Sequence, residues 1–303
     1  MTTAPDPTLR PLAGVVPAVE TLEGGGFRVH RPFPTGRLEL LDPFLLLDEM
    51  GPTDYRPGEA VGAPDHPHRG FETVTYLLEG EFEHRDSHGG HGVIGPGGVQ
   101  WMTAGAGVVH SEMPSERIRR HGGRVHGFQI WVNLPAADKM IPPRYQSLTA
   151  ADLPTVEGDA WRLRLVAGEL AGRRGPAATR TPVAVAHLVV EPGGVARLDV
   201  PADHNVGLYV FAGGATVPTG AGASTPVGTH ELAVWHRAGG GVVVEGPPTA
   251  DREVEALVLA GAPLGEPVAR YGPFVMTTRQ ELIEAIDDFQ AGRMGTIAPT
   301  GSA

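Results

Sequence analysis

A repeated spacing of glycine and tryptophan divides this sequence into two similar halves. The interval from Gly80 to Trp101 equals the interval from Gly214 to Trp235. With the two tryptophans superposed, a further five residues of the second half fall on identical residues of the first: Ala238, Gly239, Gly241, Val242 and Val243 on Ala104, Gly105, Gly107, Val108 and Val109. Such register is expected when one structural unit has been duplicated.

Each half is predicted to be an all-β unit. Glycine (43 residues) and proline (29 residues) are too frequent for long helices and suit strands joined by tight turns. Between Phe71 and Phe82, β-branched and aromatic residues alternate as in a strand. One helix is expected near the end of the chain, where Thr278 and Glu281 fit a capping box and Gly292 is a stop signal. Its apolar face comprises Leu282, Ile286 and Phe289.

Proline-rich and charged stretches suggest the domain boundaries. Residues 1–134 are predicted to form the first unit, with a loose tail from Met1 to about Gly14. Residues 135–143 carry three prolines and two charged residues and are interpreted as a linker. Residues 144–295 are predicted to form the second unit with the terminal helix, and residues 296–303 a disordered tail.

Two pairs of polar side chains in the first half predict a metal site. His66 and His68 are two residues apart, as are His110 and Glu112, so each pair projects from one face of an extended chain. Pro67 cannot donate a ladder hydrogen bond, which predicts a strand start or a sheet edge. On neighbouring strands the pairs would converge. Three imidazoles and one carboxylate suit iron, manganese, nickel, copper or zinc.

The second half lacks these ligands. In the superposition, Val244 falls on His110 and Gly246 on Glu112. Only His204 lies near the expected position of the histidine pair, and it requires a two-residue slip. We therefore expect the second unit to be metal-free and the chemistry to belong to the first.

The remaining candidates are interpreted as structural. A glycine turn separates three histidines, which are expected to be solvated: His84, His88 and His91. Two others have no partner at ligand spacing: His121 and His126. Packing within the first unit is expected of Trp101 and Met102. The solvated face of the terminal helix is expected to carry Glu281, Glu284, Asp287 and Asp288.

Charge and composition exclude several classes of partner. The formal net charge of -11 provides no basic field for nucleic acid. No segment approaches the roughly 20 apolar residues of a membrane-spanning helix, and the N-terminus does not resemble a signal peptide. The absence of cysteine removes disulfides and thiol catalysis, so a cytoplasmic location is expected.

At its most distinctive motifs the sequence resembles the pirin family, a bicupin branch of the cupin superfamily. The resemblance spans most of the chain and is carried by these stretches: Asp42-Pro43-Phe44-Leu45-Leu46-Leu47-Asp48-Glu49, His66-Pro67-His68-Arg69-Gly70-Phe71-Glu72-Thr73-Val74-Thr75-Tyr76, His84-Arg85-Asp86-Ser87-His88-Gly89, Gln100-Trp101-Met102-Thr103-Ala104-Gly105, His110-Ser111-Glu112-Met113 and Tyr271-Gly272-Pro273-Phe274-Val275-Met276.

The resemblance implies two stacked antiparallel β-barrels with iron in the first. The implied ligands are His66, His68, His110 and Glu112, the same four that the spacing selects. Manganese, nickel, cobalt, copper and zinc remain alternatives to Fe(II). The general cupin pattern instead uses a glutamate at the position of Glu72, but pirins keep that residue without using it as a ligand. Glu72 is therefore interpreted as a supporting residue.

Two functions follow from the resemblance. The first is a quercetin 2,3-dioxygenase-type reaction, which opens the central ring of a flavonol with O2 and releases carbon monoxide, with Glu112 as a proton acceptor. The alternative is an iron-dependent, redox-sensing regulatory module that binds a protein partner, because eukaryotic pirins act as transcriptional cofactors and a bacterial one binds a metabolic enzyme.

Overall fold

The computed structural model describes residues 9–220 and 223–298. The strands up to residue 148 are β1 (Leu12–Pro17), β2 (Val19–Glu23), β3 (Phe27–Phe33), β4 (Phe44–Tyr55), β5 (Ala63–His68), β6 (Phe71–Glu79), β7 (Phe82–Asp86), β8 (His91–Ile94), β9 (Val99–Thr103), β10 (Val108–Pro114), β11 (Gly123–Asn133) and β12 (Arg144–Leu148). The later strands are β13 (Thr155–Gly158), β14 (Trp161–Ala167), β15 (Glu169–Leu170), β16 (Arg173–Arg174), β17 (Val183–Val190), β18 (Val195–Asp199), β19 (Asn205–Ala212), β20 (Ala215–Gly220), β21 (Ala223–Val227), β22 (Glu231–Trp235), β23 (Gly241–Glu245), β24 (Val254–Gly261), β25 (Ala269–Tyr271) and β26 (Phe274–Met276). The α-helices are α1 (Glu116–His121) and α2 (Arg279–Gln290).

The prediction of an all-β chain with two antiparallel units is confirmed. By its contacts the chain divides into two compact units. The unit that contains the predicted ligands is called the histidine unit and comprises Glu20–Arg31, Phe44–Ala150 and Leu264–Ala303. The other, called the second unit, comprises Met1–Val19, Pro32–Pro43 and Ala151–Pro263. Within the described residues, each unit contains a seven-stranded and a four-stranded sheet, an arrangement consistent with the expected jelly-roll-like barrels.

The histidine unit positions the predicted site on its smaller sheet. Its large sheet has the strand order β12-β9-β6-β11-β4-β3-β2, and its small sheet has the order β5-β10-β7-β8. The pairings of the small sheet are antiparallel, as are those of the large sheet from β12 to β4. The alternating side chains of β7, buried at Phe82, His84 and Asp86, show which face of the small sheet points inward.

The second unit repeats this plan around an apolar core. Its large sheet has the order β1-β22-β19-β24-β17-β14-β13, and its small sheet has the order β18-β23-β20-β21. One buried cluster draws side chains from both sheets, among them Leu188, Leu198, Trp235 and Val244. Such continuous packing between two sheets gives the unit its own hydrophobic core.

The terminal helix begins as the capping box predicts. The Thr278 side chain accepts a hydrogen bond from the backbone N–H of Glu281, and the Glu281 carboxylate accepts one from the backbone N–H of Thr278. Leu282 and Ala285 are buried, whereas Phe289 is exposed. No helix in the described ranges is long and apolar enough to cross a membrane.

The structure corrects the predicted N-terminal tail in part. Leu12–Pro17 form β1, which pairs with β22, and the buried Arg10 donates hydrogen bonds to the backbone oxygens of Val200 and His204. The tail is therefore ordered from residue 9 onward, because it completes the large sheet of the second unit. Residues 1–8, and residues 299–303 of the predicted C-terminal tail, lie outside the described residues.

The predicted domain boundaries stay a prediction, and the contacts group the chain differently. Residues from Leu264 onward, with α2, belong to the histidine unit. Asp288 of α2 accepts a hydrogen bond from Arg69 at 2.7 Å, so this residue does not belong to a purely solvated face as expected. In the segment interpreted as a linker, the buried Lys139 donates to the backbone oxygens of Gly70 and Val275. These long-range contacts tie both segments to the histidine unit.

Candidate metal centre

The strand pair β5–β10 brings three predicted ligands together. His110 lies directly opposite His66 in the antiparallel register, and the position opposite His68 is Val108. Ligand nitrogens of the three histidines lie within 4.8 Å of one another, a group that can hold a metal ion. Strand β5 is the outermost strand of its sheet, as Pro67 predicts.

Hydrogen bonds behind two of the rings direct their Nε2 atoms to a common point. His66 Nδ1 lies 2.7 Å from the backbone oxygen of Pro64, and His68 Nδ1 lies 3.3 Å from that of Pro273. Because a carbonyl oxygen only accepts, each Nδ1 carries the proton and each Nε2 keeps its lone pair. The two Nε2 atoms are 3.1 Å apart. Orientation of this kind is typical of metal-binding histidines.

A buried chain of polar groups orients the third ring. His110 Nδ1 lies 3.5 Å from His84 Nδ1, and His84 Nε2 lies 3.0 Å from Asp86 Oδ2. With a proton on His84 Nε2 donated to the carboxylate, His84 Nδ1 accepts the proton of His110 Nδ1, and His110 Nε2 again keeps its lone pair. Asp86 also accepts hydrogen bonds from the backbone N–H groups of His88 and Gly90.

His110 Nε2 provides the clearest sign that the group fits a cation. This atom is buried and has no hydrogen-bond partner among the described residues. Buried polar atoms in proteins almost always have a partner, and an ion is one explanation for an exception. The donor set of imidazole nitrogens also suits a transition metal.

The electrostatics keep the buried imidazoles neutral. Burial and the neighbouring imidazoles hold the pKa of His68 and the pKa of His110 well below the ordinary value. Burial raises the pKa of Asp86, but hydrogen bonds from His84 and from the backbone of Gly90 and His88 leave it below its usual value. A neutral imidazole is the form that binds a metal.

The two glutamates of the motif lie in different surroundings. The Glu112 carboxylate accepts hydrogen bonds from Thr75 Oγ1 and, at 2.7 Å, from Gln129 Nε2, and it lines the same cavity as His66 and His68. It is not one of the three residues whose ligand atoms cluster. Glu72 is fully buried, and its Oε1 accepts a hydrogen bond from Thr103 at 2.6 Å.

A cavity of about 500 Å³ opens beside the histidines. Its walls combine apolar and aromatic side chains with a few charged ones: Phe27, Leu46, Met50, Phe82 and Trp131 with Glu23, Arg31, Asp48, Asp65 and Arg270. The Trp131 ring lies 5.3 Å from the His68 ring, centroid to centroid. A mostly apolar pocket of this size with a few polar groups suits a small aromatic molecule.

The structure corrects the interpretation of His84. This side chain is buried and stacks on Tyr145 at 4.5 Å, whereas His88 and His91 are exposed as expected. The strand alternation Phe82, His84, Asp86 was the available signal, because it places both polar residues on the inward face. The buried His126 lies 2.9 Å from Glu49, and both Trp101 and Met102 are buried, in agreement with their structural interpretation.

Comparison with known proteins agrees with the fold. Residues 26–132 match the Pirin family model, and residues 185–295 match the model of the Pirin C-terminal cupin domain. The chain is 44% identical over 274 residues to a Pseudomonas aeruginosa protein provisionally named as a quercetin 2,3-dioxygenase, covering 89% of this chain and 93% of that protein. It is 38% identical to human pirin over 277 residues, covering 91% of each.

A solved structure extends the likeness to the whole fold. Quercetin 2,3-dioxygenase from Acinetobacter baumannii superposes with a TM-score of 0.88 at 40% identity, covering 96% of this chain and all of that one. The two family models and these relatives together match most of the chain. The chain belongs to the pirin family.

Proposed function

We propose that this chain is a metal-dependent dioxygenase of the quercetin 2,3-dioxygenase type, with His66, His68, His110 and Glu112 as the ligands of a divalent metal, preferably Fe(II). The observation that carries the proposal is the group of three imidazoles beside an aromatic-lined cavity. The names of the Pseudomonas and Acinetobacter relatives support the flavonol as the substrate class.

When bound, the metal would supply Lewis acidity that lowers the pKa of a flavonol 3-hydroxyl and a position for O2. The chain itself would provide the remaining requirements. The buried imidazoles of His68 and His110 are neutral, so as ligands they would not cancel the positive charge of a bound cation. The cavity walls would hold the planar rings and exclude bulk water from the reacting carbon atoms.

Glu112 is proposed to accept the proton of the flavonol 3-hydroxyl at a carboxylate oxygen. Its carboxylate already accepts hydrogen bonds from Thr75 and Gln129, which fix its orientation while leaving further lone pairs. A carboxylate also loosens from a metal more readily than an imidazole does. The reaction would then open the central ring with O2 and release carbon monoxide.

The test is flavonol consumption and carbon monoxide release by the metal-loaded protein, under oxygen and under nitrogen, with metal content measured on the same samples. Many turnovers per metal, only under oxygen, are expected. Glu112→Gln should lower kcat by about 100-fold, whereas Glu79→Gln, at an exposed carboxylate of β6, should not. Equal rates for Glu112→Gln would remove this residue from the mechanism. Less than one turnover per metal would contradict the enzyme and favour the regulatory alternative.

A further inference from the structure

The two arginines of the cavity wall are bound in different ways. Arg31 forms a two-point ion pair with Asp48, at 2.7 and 2.6 Å, and also contacts Glu23. Its guanidinium donates hydrogen bonds to both carboxylates. Arg31 is therefore interpreted as a structural residue of the cavity wall.

Arg270 has no such partner. Among the described residues, no carboxylate lies within ion-pair distance of its guanidinium, and its one hydrogen bond runs from Nη1 to the backbone oxygen of Leu45 at 3.4 Å. The side chain is exposed and lines the cavity, so most of its N–H groups are available to a ligand. The two carboxylates whose charges act on Arg270, those of Asp48 and Glu23, are held by Arg31.

Trp131 connects this cation to the candidate metal centre. The guanidinium carbon of Arg270 lies over the Trp131 ring, 4.8 Å from its centroid. The same ring also neighbours the Phe71 ring, at 4.4 Å, and the His68 ring, at 5.3 Å between centroids. One aromatic side chain therefore separates the free guanidinium from the imidazoles, a span that a ligand of two or three fused rings can bridge.

We propose that the cavity selects aromatic anions, and that Arg270 binds an ionised oxygen of the ligand while the rings lie along the wall towards the imidazoles. A guanidinium forms strong, paired hydrogen bonds with a carboxylate or phenolate. The inference rests on the proposed function in taking this cavity as the aromatic substrate site. It adds that the substrate carries a negative charge remote from the metal.

The test uses binding to the full-length protein freed of metal by a chelator, so that no ligand oxygen can coordinate a metal and no turnover is required. The probes are 1-naphthoate and its neutral counterpart 1-naphthamide, measured by titration calorimetry at low salt. Wild type should bind naphthoate about tenfold more tightly than naphthamide. Arg270→Gln should abolish this preference by weakening naphthoate alone, and Arg270→Lys should keep part of it.

Arg144→Gln is the matched control. Arg144 is also exposed on a strand of the histidine unit and also makes one long hydrogen bond, to Gln146 at 3.4 Å, but it does not line the cavity. This variant should keep the full preference. Equal binding of the two probes by wild type, no binding of naphthoate, or equal weakening of both probes in Arg270→Gln would overturn the inference. Because the readout is metal-free binding, a failure of flavonol turnover would not produce any of these results.

Discussion

The same pair of strands carries polar side chains in the histidine unit and apolar side chains in the second unit. In the histidine unit, His110 of β10 lies opposite His66 of β5. In the second unit the corresponding strands are β23 and β18, where Val244 lies opposite Ala196. Both of these residues are fully buried in an apolar core. One backbone frame therefore accommodates either polar ligands or close apolar packing.

The register also identifies the residues of the second unit that stand where a second histidine pair would lie. Leu198, opposite Val242, occupies the position that corresponds to His68. The nearby His204 lies beyond the end of β18 and is not an equivalent. The backbone frame therefore does not require a metal to fold, since the second unit fills the same positions with side chains that cannot be ligands.

The largest effect is expected when the histidine unit receives the corresponding residues of the second unit. The triple variant His66→Ala, His68→Leu, His110→Val should lose bound metal, from about one equivalent to near zero, because no nitrogen donors remain. It should still fold, since the same three residues pack at the equivalent positions of the second unit. Elemental analysis and thermal unfolding check both parts. Full metal content in the variant would place the metal elsewhere.

The reciprocal change should be costly. Leu198→His would put an imidazole into an apolar core without a partner, and we expect a loss of about 3 kcal/mol in the free energy of unfolding. Chemical denaturation with and without added metal measures it. Leu198→Met is the control, with an expected loss of less than about 1.5 kcal/mol. Unchanged stability of Leu198→His would show that the second unit tolerates ligands as the histidine unit does.

A smaller effect is expected from the support behind His110. His84→Ala removes the acceptor of the His110 Nδ1 proton, and metal affinity should fall by about 10- to 100-fold. A competition titration with a chromogenic chelator measures the change. His88→Ala, at an exposed position on the same hairpin, should bind metal as wild type does. Similar affinities for the two variants would argue against an orienting role for His84.

The smallest effect is the pH dependence of the metal-free protein. The pKa values of His68 and His110 are lowered in the folded state, so the unfolded chain takes up protons first as the pH falls through its ordinary value of about 6.5. Stability is fully present above that value and is lost below it, by about 1 kcal/mol between pH 7 and pH 6 for the two groups. Urea denaturation at both pH values measures it. The triple variant should show a smaller loss, and an equal loss would assign the effect to other groups.

Local patterns were sufficient to predict the histidine group. The two-residue spacing of each ligand pair and the capping box at Thr278 both act within a few residues of the chain. The edge position of β5 is one of the two placements that Pro67 predicted, a strand start or a sheet edge. These features depend on backbone periodicity and on the missing N–H group of a proline. Both can be read from the order of the residues.

Pairings distant in sequence could not be predicted in the same way. The burial of Lys139 depends on backbone oxygens of Gly70 and Val275, which belong to separate segments of the chain. The ordering of the N-terminal segment depends on β22, more than two hundred residues away. His84 was within reach, since its strand alternates, but the glycine turn beside it suggested exposure. The availability of Arg270 depends on Arg31 occupying the carboxylates.

The outermost position of β5 affects how the protein behaves without metal. An open sheet edge offers backbone groups to any passing chain, and edges of this kind initiate aggregation. Two prolines in this strand, Pro64 and Pro67, remove N–H donors from it. The prolines therefore disfavour edge-to-edge pairing of β5 between protein molecules. We expect the metal-free protein to stay monodisperse.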